Sequence, residues 1–178
     1  NDDKNQYKHL ITETPWDNKV FKVSTFEIKV RSESEFFSIC NALNKNALEP
    51  GHYTIKVNPA WNAKPLFDFG FYYCDTLIQP YCSYNSFISY SHPEVHISYT
   101  SELDEDELVN ICNGVFLHGR FHRDFNIDQE LADLRYNSWL SQLFHEEKVW
   151  GLIYKNELAG FWACSKNNIL LHALERSF

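Results

Sequence analysis

The alternation of apolar and polar side chains predicts a strand followed by a helix early in the chain. Residues 22–30 alternate in this way and carry β-branched residues, as strands do. Ser32 followed by Glu35 forms a capping pair that predicts a helix start, and the Pro-Gly pair at 50–51 predicts its end. The apolar side of this helix consists of Phe36, Phe37, Ile39, Cys40 and Leu43.

The pattern continues into a β-α-β-α-β half. Residues 52–57 predict a second strand, residues 58–70 predict a short helix that Gly70 closes, and residues 71–81 predict a third strand. Residues 82–94 are polar and aromatic without a period, which is typical of a linker.

The second half of the chain predicts the order strand, helix, loop, helix. Residues 96–101 form the strand, and Ser101 caps a helix with an acidic first turn. Residues 117–127 form the loop, and Asp128 starts the longer helix. The apolar sides contain Leu108, Ile111, Cys112, Val115 and Phe116 in the first helix and Leu131, Leu134, Trp139, Leu140 and Leu143 in the second.

Three further strands are predicted at the end of the chain. Residues 149–155 and 157–165 flank a turn and predict a hairpin. Residues 169–175 (ILLHALE) are nearly all apolar, and such a run predicts a strand that is covered on both faces.

Composition excludes several classes of protein. The hydrophobic fraction of 44% and the aromatic fraction of 16% are enough for a core. The net charge is −8 and Lys and Arg do not cluster, which argues against nucleic-acid binding. No apolar run is long enough for a membrane helix and no signal segment is visible, so a cytoplasmic protein without a membrane partner is expected.

The cysteines and the absence of methionine bear on the state of the chain. Five cysteines without C-x-x-C spacing argue against a disulfide scaffold or a zinc ribbon and favour reduced thiols. The chain begins with Asn and contains no Met. We therefore expect that it is not the complete gene product.

Four segments carry a resemblance to a known family. They are the stretch TPWDNKVF at 14–21, Phe69-Gly70-Phe71 with Asp75-Thr76-Leu77, Gly119-Arg120-Phe121-His122 with Asp124, and ELAGF at 157–161. In this order they resemble the GNAT superfamily of N-acetyltransferases, in particular the group that acetylates the amino sugar of TDP-fucosamine.

The resemblance implies an α/β fold, a GNAT-like mixed sheet with flanking helices that follows a smaller β-α-β-α-β half. Residues 1–91 would be a partial GNAT-like domain and residues 92–178 the first half of a GNAT domain, with its C-terminal part absent. The family's Q/R-x-x-G-x-G/A loop, which holds the CoA pyrophosphate, does not occur in the sequence. The resemblance implies acetyl-CoA as co-substrate, an amine acceptor such as an amino-sugar nucleotide, and a homodimer. The intact enzyme would be active, whereas this stretch alone would not.

The resemblance also implies site residues. The backbone of the last strand at Leu171, Ala173 and Leu174 would contact the pantetheine arm and the acetyl carbonyl. His172 and Glu175 lie where a base could reach the acceptor amine. The acceptor itself would be bordered by Arg120, His122 and Asp124.

Other interpretations of these residues remain open. Arg120 could instead pair with Asp124 or Asp128, and His172 could be a buried, satisfied histidine. A metal site built from His118, His122, Asp124 and His145 is not favoured, because the segment lacks helical periodicity. The chief rival function is a non-catalytic interaction module in which residues 169–175 form an exposed edge strand that pairs with a partner or a second copy. A metal-dependent hydrolase is a weaker rival.

Overall fold

The protein divides into two compact α/β units, Asn1–Tyr73 and Cys74–Phe178. The structure is a computed structural model, and it describes residues 7–44 and 48–177. The boundary implied at 91/92 thus falls inside the second unit. The first four residues, which bear on the absence of a signal segment, lie outside the described residues.

The first unit alternates strands and helices around a three-stranded sheet in the order β1-β2-β3. Strand β1 is antiparallel to β2, whereas β2 and β3 are parallel, so a crossover must connect them, and helix α2 is that crossover. The elements are β1 (Ile11–Glu13), α1 (Pro15–Phe21), β2 (Thr25–Lys29), α2 (Glu33–Asn44), β3 (His52–Lys56) and α3 (Lys64–Asp68), with a 3-10 turn at Lys8–Leu10.

The core of this unit lies between the sheet and α2. Ile28 on β2 and Ile39 on α2 are completely buried in one cluster, and Phe36 is buried in a second cluster with Cys40 and Leu66, whereas Phe37 is exposed. The start of α2 is the predicted one. The Glu35 N–H donates to Ser32 Oγ at 3.3 Å, and the Glu35 carboxylate accepts from the Arg31 N–H at 2.6 Å.

Gly70 ends α3 as predicted. It has a φ of +86°, its N–H donates to the Phe67 carbonyl at 3.0 Å, and the Phe71 N–H donates to the Leu66 carbonyl at 3.0 Å. These two hydrogen bonds form the Schellman arrangement, which requires a residue in the left-handed conformation, and glycine adopts that conformation without strain. The helix starts at Lys64 rather than near 58, because the Asn58 side chain closes a local turn by accepting from the Ala60 N–H at 2.9 Å.

The strand predicted at 71–81 is wrong. Those residues have no regular structure, and Ile78 and Tyr81 are 80% and 90% exposed. No described strand pairs with them, since the sheet of the first unit holds β1, β2 and β3. Strand β1 and helix α1 were not predicted, so the β-α-β alternation exists but is shifted by one element toward the N-terminus.

Glu27 joins two lysines that lie opposite each other on β2 and β3. Lys29 and Lys56 are register partners, and like charges in that position repel. The Glu27 carboxylate lies 3.0 Å from both ammonium groups. Burial raises the pKa of Glu27, but the nearby Lys56 and Lys29 lower it by more, so its pKa lies below the ordinary value.

We therefore expect Glu27→Gln to destabilise the first unit near neutral pH by about 0.5–1 kcal/mol, a figure reduced for solvent screening. A depressed carboxyl pKa contributes stability above its unfolded value, and this contribution is lost as the pH falls through the folded value. Urea unfolding at pH 7 and at pH 3 measures the loss of stability where the ion pair contributes and where its contribution is reduced. Glu13→Gln on β1 is a control for loss of a charge. An equal loss at both pH values would contradict the ion-pair explanation.

The second unit is a four-stranded antiparallel sheet in the order β4-β5-β6-β7 with a helical pair on one face. Its elements are β4 (Val95–Tyr99), α4 (Glu105–Cys112), α5 (Gln129–His145), β5 (Val149–Tyr154), β6 (Glu157–Ser165) and β7 (Asn168–Leu174), with 3-10 turns at Tyr84–Ser86 and Thr100–Glu102.

Aspartates start both helices of this unit. Asp128 accepts from the Glu130 N–H at 2.8 Å, as predicted. Asp104, and not Ser101, caps α4 by accepting from the Glu107 N–H at 3.1 Å, because Ser101 lies within the 3-10 turn before it. The predicted hairpin is confirmed. Lys155 and Asn156 have φ values of 51° and 66°, which are those of a two-residue turn matched to strand twist.

One face of the sheet is buried and the other is not. Phe161, Ala163, Leu171 and Ala173 are buried on the face that α4 covers. Ile169 and Leu174 of β7 are 67% and 61% exposed. The prediction that β7 is covered on both faces is therefore wrong for the part of the protein that the structure describes, where the helices pack on one face only.

Two further observations concern the chain as a whole. Among residues 7–44 and 48–177, no helix combines the length and the apolar character needed to cross a membrane. All five cysteines lie within those residues, and none forms a disulfide.

Candidate functional site

The residues that the resemblance implies lie in the loop between α4 and α5, in strand β7 and, for Glu175, directly after that strand. The loop consists of a succession of tight, hydrogen-bonded turns. The Gly119 N–H donates to the Phe116 carbonyl at 2.9 Å, and the Gly119 carbonyl accepts from the N–H groups of His122 and Arg123 at 3.1 and 3.2 Å. Asp124 accepts from the Asn126 N–H at 2.9 Å, which closes the last turn.

His122 is held inside the loop rather than presented to solvent. Its side chain is 1% exposed, and its Nε2 lies 3.0 Å from the carboxylate of Asp133 on α5. The His122 carbonyl accepts from the Gln129 side chain at 3.0 Å. The His122 ring thus faces the interior of the unit, and its implied role as a residue bordering the acceptor stays a prediction.

One atom of this histidine has no partner. Because a carboxylate only accepts hydrogen bonds, the Nε2 of His122 carries the proton in the bond to Asp133. In the neutral ring Nδ1 then has a lone pair, and it is buried without a hydrogen-bond partner among the described residues. Buried polar atoms are usually satisfied. The His122 Nδ1 atom can therefore accept one further hydrogen bond while Nε2 donates to Asp133.

Tyr136 forms the wall on which the loop is built. Its ring stacks on Phe116 at 4.6 Å and on His122 at 5.8 Å, and Phe121 meets it edge-on at 5.7 Å. A Cβ at Gly119 would lie 2.1 Å from the Tyr136 hydroxyl, so this position requires glycine. Burial raises the pKa of Tyr136, which remains a neutral phenol at physiological pH.

Arg120 supplies positive charge at the rim of the loop. Its guanidinium lies 4.5 Å over the Phe121 ring and pairs with neither Asp124 nor Asp128, the two partners considered from the sequence. Arg120 also lowers the pKa of Tyr136, against the larger effect of burial, which shows that its charge is felt at that phenol. Asp124 itself is buried.

Residues just after the first unit join this region. Burial raises the pKa of the half-buried Cys74 thiol, as do Asp124 and Asp75, while Arg120 and Arg123 act in the opposite direction. The segment that begins at Cys74 therefore lies within electrostatic reach of both arginines of the loop. The sequence interpretation missed this proximity because it assigned the segment to a strand.

Strand β7 presents alternate residues to opposite sides. Leu171 and Ala173 are buried, so only their backbone can meet a ligand, whereas His172 is exposed and lies opposite Trp162 of β6. The open interpretation of His172 as a buried histidine is therefore wrong. In the described part of the chain β7 pairs with β6 along one edge, and no strand occupies its other edge.

The end of β7 is connected to the loop through Gly114. The Arg176 guanidinium donates to the Gly114 carbonyl at 2.6 Å, and the Gly114 N–H donates to Asp133 at 3.2 Å. Asp133 in turn holds His122. Glu175 is half-buried, and its carboxylate accepts from the Ser177 N–H at 3.4 Å and hydroxyl at 3.3 Å.

The histidines considered from the sequence as metal ligands were also placed by the structure. No group of three or more His, Cys, Asp or Glu side chains with metal-binding spacing occurs within 7–44 and 48–177. His118 is exposed, and His145 lies 3.4 Å from Glu105 rather than near His122 or Asp124.

Comparison with known proteins gives no family assignment. The sequence matches no protein-family model, and neither a curated protein nor a solved structure matches the chain. The function must therefore be argued from the site itself.

Proposed function

We propose that this protein is an N-acetyltransferase, which transfers the acetyl group of acetyl-CoA to an amino group. The proposed class of acceptor is an amino-sugar nucleotide. The observation that carries the proposal is the element order of the second unit. One strand, two helices with a structured loop between them, and three antiparallel strands follow each other, and the resemblance implies this order for the first part of a GNAT domain.

The unpaired edge of β7 supports the donor side of the proposal. In the related enzymes this strand splays from its next neighbour, so that its backbone can bind the pantetheine arm. The N–H groups between Leu171 and Leu174 would then polarise the thioester carbonyl as oxyanion donors do. The pyrophosphate requires a Q/R-x-x-G-x-G/A loop, which these 178 residues do not contain. Turnover is therefore proposed for a chain that carries such a loop.

The loop supports the acceptor side. The Arg120 guanidinium forms no ion pair with a carboxylate of residues 7–44 or 48–177, and it is suited to a phosphate because its planar fork donates two parallel hydrogen bonds. Amine acetylation also needs a group that takes the proton of the attacking amine. His172 is exposed on β7 and Glu175 lies at its end, and both remain candidates for this role.

Binding of acetyl-CoA by the 178-residue protein tests the donor side. Nuclear magnetic resonance should show saturable changes in the backbone amides of residues 171–174 on addition of acetyl-CoA. CoA without the acetyl group is the comparison, since the N–H groups at the carbonyl should respond to the thioester only. Unchanged β7 amides at saturating acetyl-CoA would count against the donor site.

Turnover tests the acceptor side in a chain that includes the CoA loop. Mass spectrometry of an acetylated amino-sugar nucleotide is the appropriate readout, because the exposed Cys82 thiol would react with thiol reagents that detect released CoA. Arg120→Ala should lower kcat/KM on the order of tenfold to hundredfold. Arg123→Ala in the same loop is the matched control. Unchanged activity of both His172→Ala and Glu175→Gln would remove these residues as bases.

A second function is favoured by the exposed side chains of β7. Ile169 and Leu174 flank an unpaired edge, and such an edge can pair with a strand of a partner. Under this interaction-module proposal acetyl-CoA would not perturb the β7 amides. Sedimentation of the 178-residue protein would instead show a dimer that Leu174→Lys dissociates.

A further inference from the structure

We propose that a groove in the first unit binds the phosphate group of a small molecule. The groove has a volume of about 310 Å³ and lies at the end of the β1–β2 pair, where α2 begins. It is lined by His9, Leu10, Thr12, Lys29, Arg31 and Glu35. None of these residues belongs to the loop or to β7, so the inference does not depend on the proposed function.

Strand geometry brings the two strong cations together. Lys29 ends β2 and Arg31 follows two residues later, so the alternation of an extended chain directs both to the same side. Ile28, which lies between Glu27 and Lys29, is completely buried and anchors the strand in the core. Thr12 contributes from β1, whose register places it opposite Glu27 of β2.

The ion pairs nearby leave positive charge available. Glu27 lies 3.0 Å from both Lys29 and Lys56, so a single carboxylate is shared between two ammonium groups. The Arg31 guanidinium forms no ion pair with any residue in the described ranges. Glu35 is the one acidic residue of the lining, and its carboxylate is engaged by the Arg31 backbone N–H at 2.6 Å.

The chemistry of the lining indicates a phosphate rather than a carboxylate or a nucleic acid. A guanidinium fork, an ammonium group, an imidazole and a hydroxyl can together donate to three or more oxygens of one tetrahedral anion. A nucleic acid would need a basic stripe, whereas this chain has a net charge of −8 and only Lys29 and Arg31 supply cationic side chains to the lining. The volume leaves room for the group to which the phosphate is attached.

The experiment is a titration of the isotope-labelled protein with inorganic phosphate and pyrophosphate at constant ionic strength. We expect saturable shifts of the Thr12, Lys29 and Arg31 amides, with tighter binding of pyrophosphate. Arg31→Ala and Lys29→Ala should each weaken binding on the order of tenfold. Lys19→Ala, an exposed lysine of α1 outside the groove, should leave it unchanged.

Several outcomes would overturn the inference. They are shifts that do not saturate, equal shifts with chloride, or equal weakening by Lys19→Ala. Arg31→Lys provides a second variant that keeps the charge and removes the fork, and it should bind more weakly than the unmodified protein. Co-sedimentation with vesicles of anionic phospholipid, without binding of soluble phosphate, would assign the groove to a membrane surface and contradict a small-molecule site.

Discussion

Replacing Gly119 with alanine is expected to destabilise the second unit by about 2–3 kcal/mol, which is in the range for overpacked sites. The added Cβ would lie 2.1 Å from the Tyr136 hydroxyl, and the Phe116 carbonyl at 3.2 Å limits any shift of the loop. Tyr136 is itself fixed between the rings of Phe116 and His122, so it cannot move aside cheaply. Urea unfolding followed by the signals of the second unit measures the loss.

The matched control removes the atom that causes the clash. Tyr136→Phe deletes the hydroxyl, after which the nearest atoms to the new Cβ would be the ring carbon that carried the hydroxyl and the Phe116 carbonyl oxygen, at 3.1 and 3.2 Å. The double variant Gly119→Ala with Tyr136→Phe should therefore recover most of the stability that Gly119→Ala loses. Additive losses in this double-mutant cycle would show that the hydroxyl is not the obstacle.

Removing the carboxylate of Asp133 is expected to cost about 2–3 kcal/mol, because buried donors would be left without an acceptor. In Asp133→Ala, the His122 Nε2–H and the Gly114 N–H both lose their partner. The ring of His122 is almost fully buried and cannot turn to water. Thermal and urea unfolding measure the loss, and the His122 ring signals should broaden.

Two further variants provide stability losses with which the loss in Asp133→Ala can be compared. Asp133→Asn keeps the shape and one acceptor oxygen, so its loss should be intermediate. Asp128→Ala removes an exposed N-cap of the same helix and should cost about 1 kcal/mol. If Asp133→Ala is no more costly than Asp128→Ala, the buried pair does not hold the loop.

The elements that the sequence predicted are those whose signals are local. The capping pair of Ser32 and Glu35 and the cap at Asp128 act within one helical turn, and both start helices as expected. The two-residue turn at 155–156 is likewise determined locally, by the positive φ values of its two residues. Periodicity and end signals sufficed here because no distant contact competes with them.

The wrong assignments depend on tertiary partners. Residues 71–81 have the composition of a strand, but a strand needs a neighbour, and the described sheets offer them none. Strand β1 has only the three residues Ile11–Glu13, which is too short for a visible pattern. The coverage of β7 was also misjudged, because an apolar sequence does not show how many helices pack on it.

Part of the site was accessible to sequence reasoning, and its supporting residues were not. The family motif predicted that Arg120, His122 and Asp124 share one loop, and the structure places all three in the turns between α4 and α5. Its partners on α5 were missed because the apolar side of that helix was predicted to include Leu134, which is 49% exposed. Arg135 and Tyr136 are buried instead, and Arg135 lies 5.5 Å over the ring of Phe121. Ring contacts with the loop therefore add Arg135 and Tyr136 to the buried side of the helix.

The connection between β4 and β5 has a consequence for the order in which the second unit forms. Strands β5, β6 and β7 follow one another through short turns, so their pairing closes small loops quickly. Strand β4 reaches β5 only across the helical pair, and the bond from the Thr100 hydroxyl to the Val149 carbonyl spans 49 residues. Closing so long a segment carries the larger entropic cost. The three-stranded meander is thus the expected early structure, and β4 with the site loop behind it is the part that joins last and opens first.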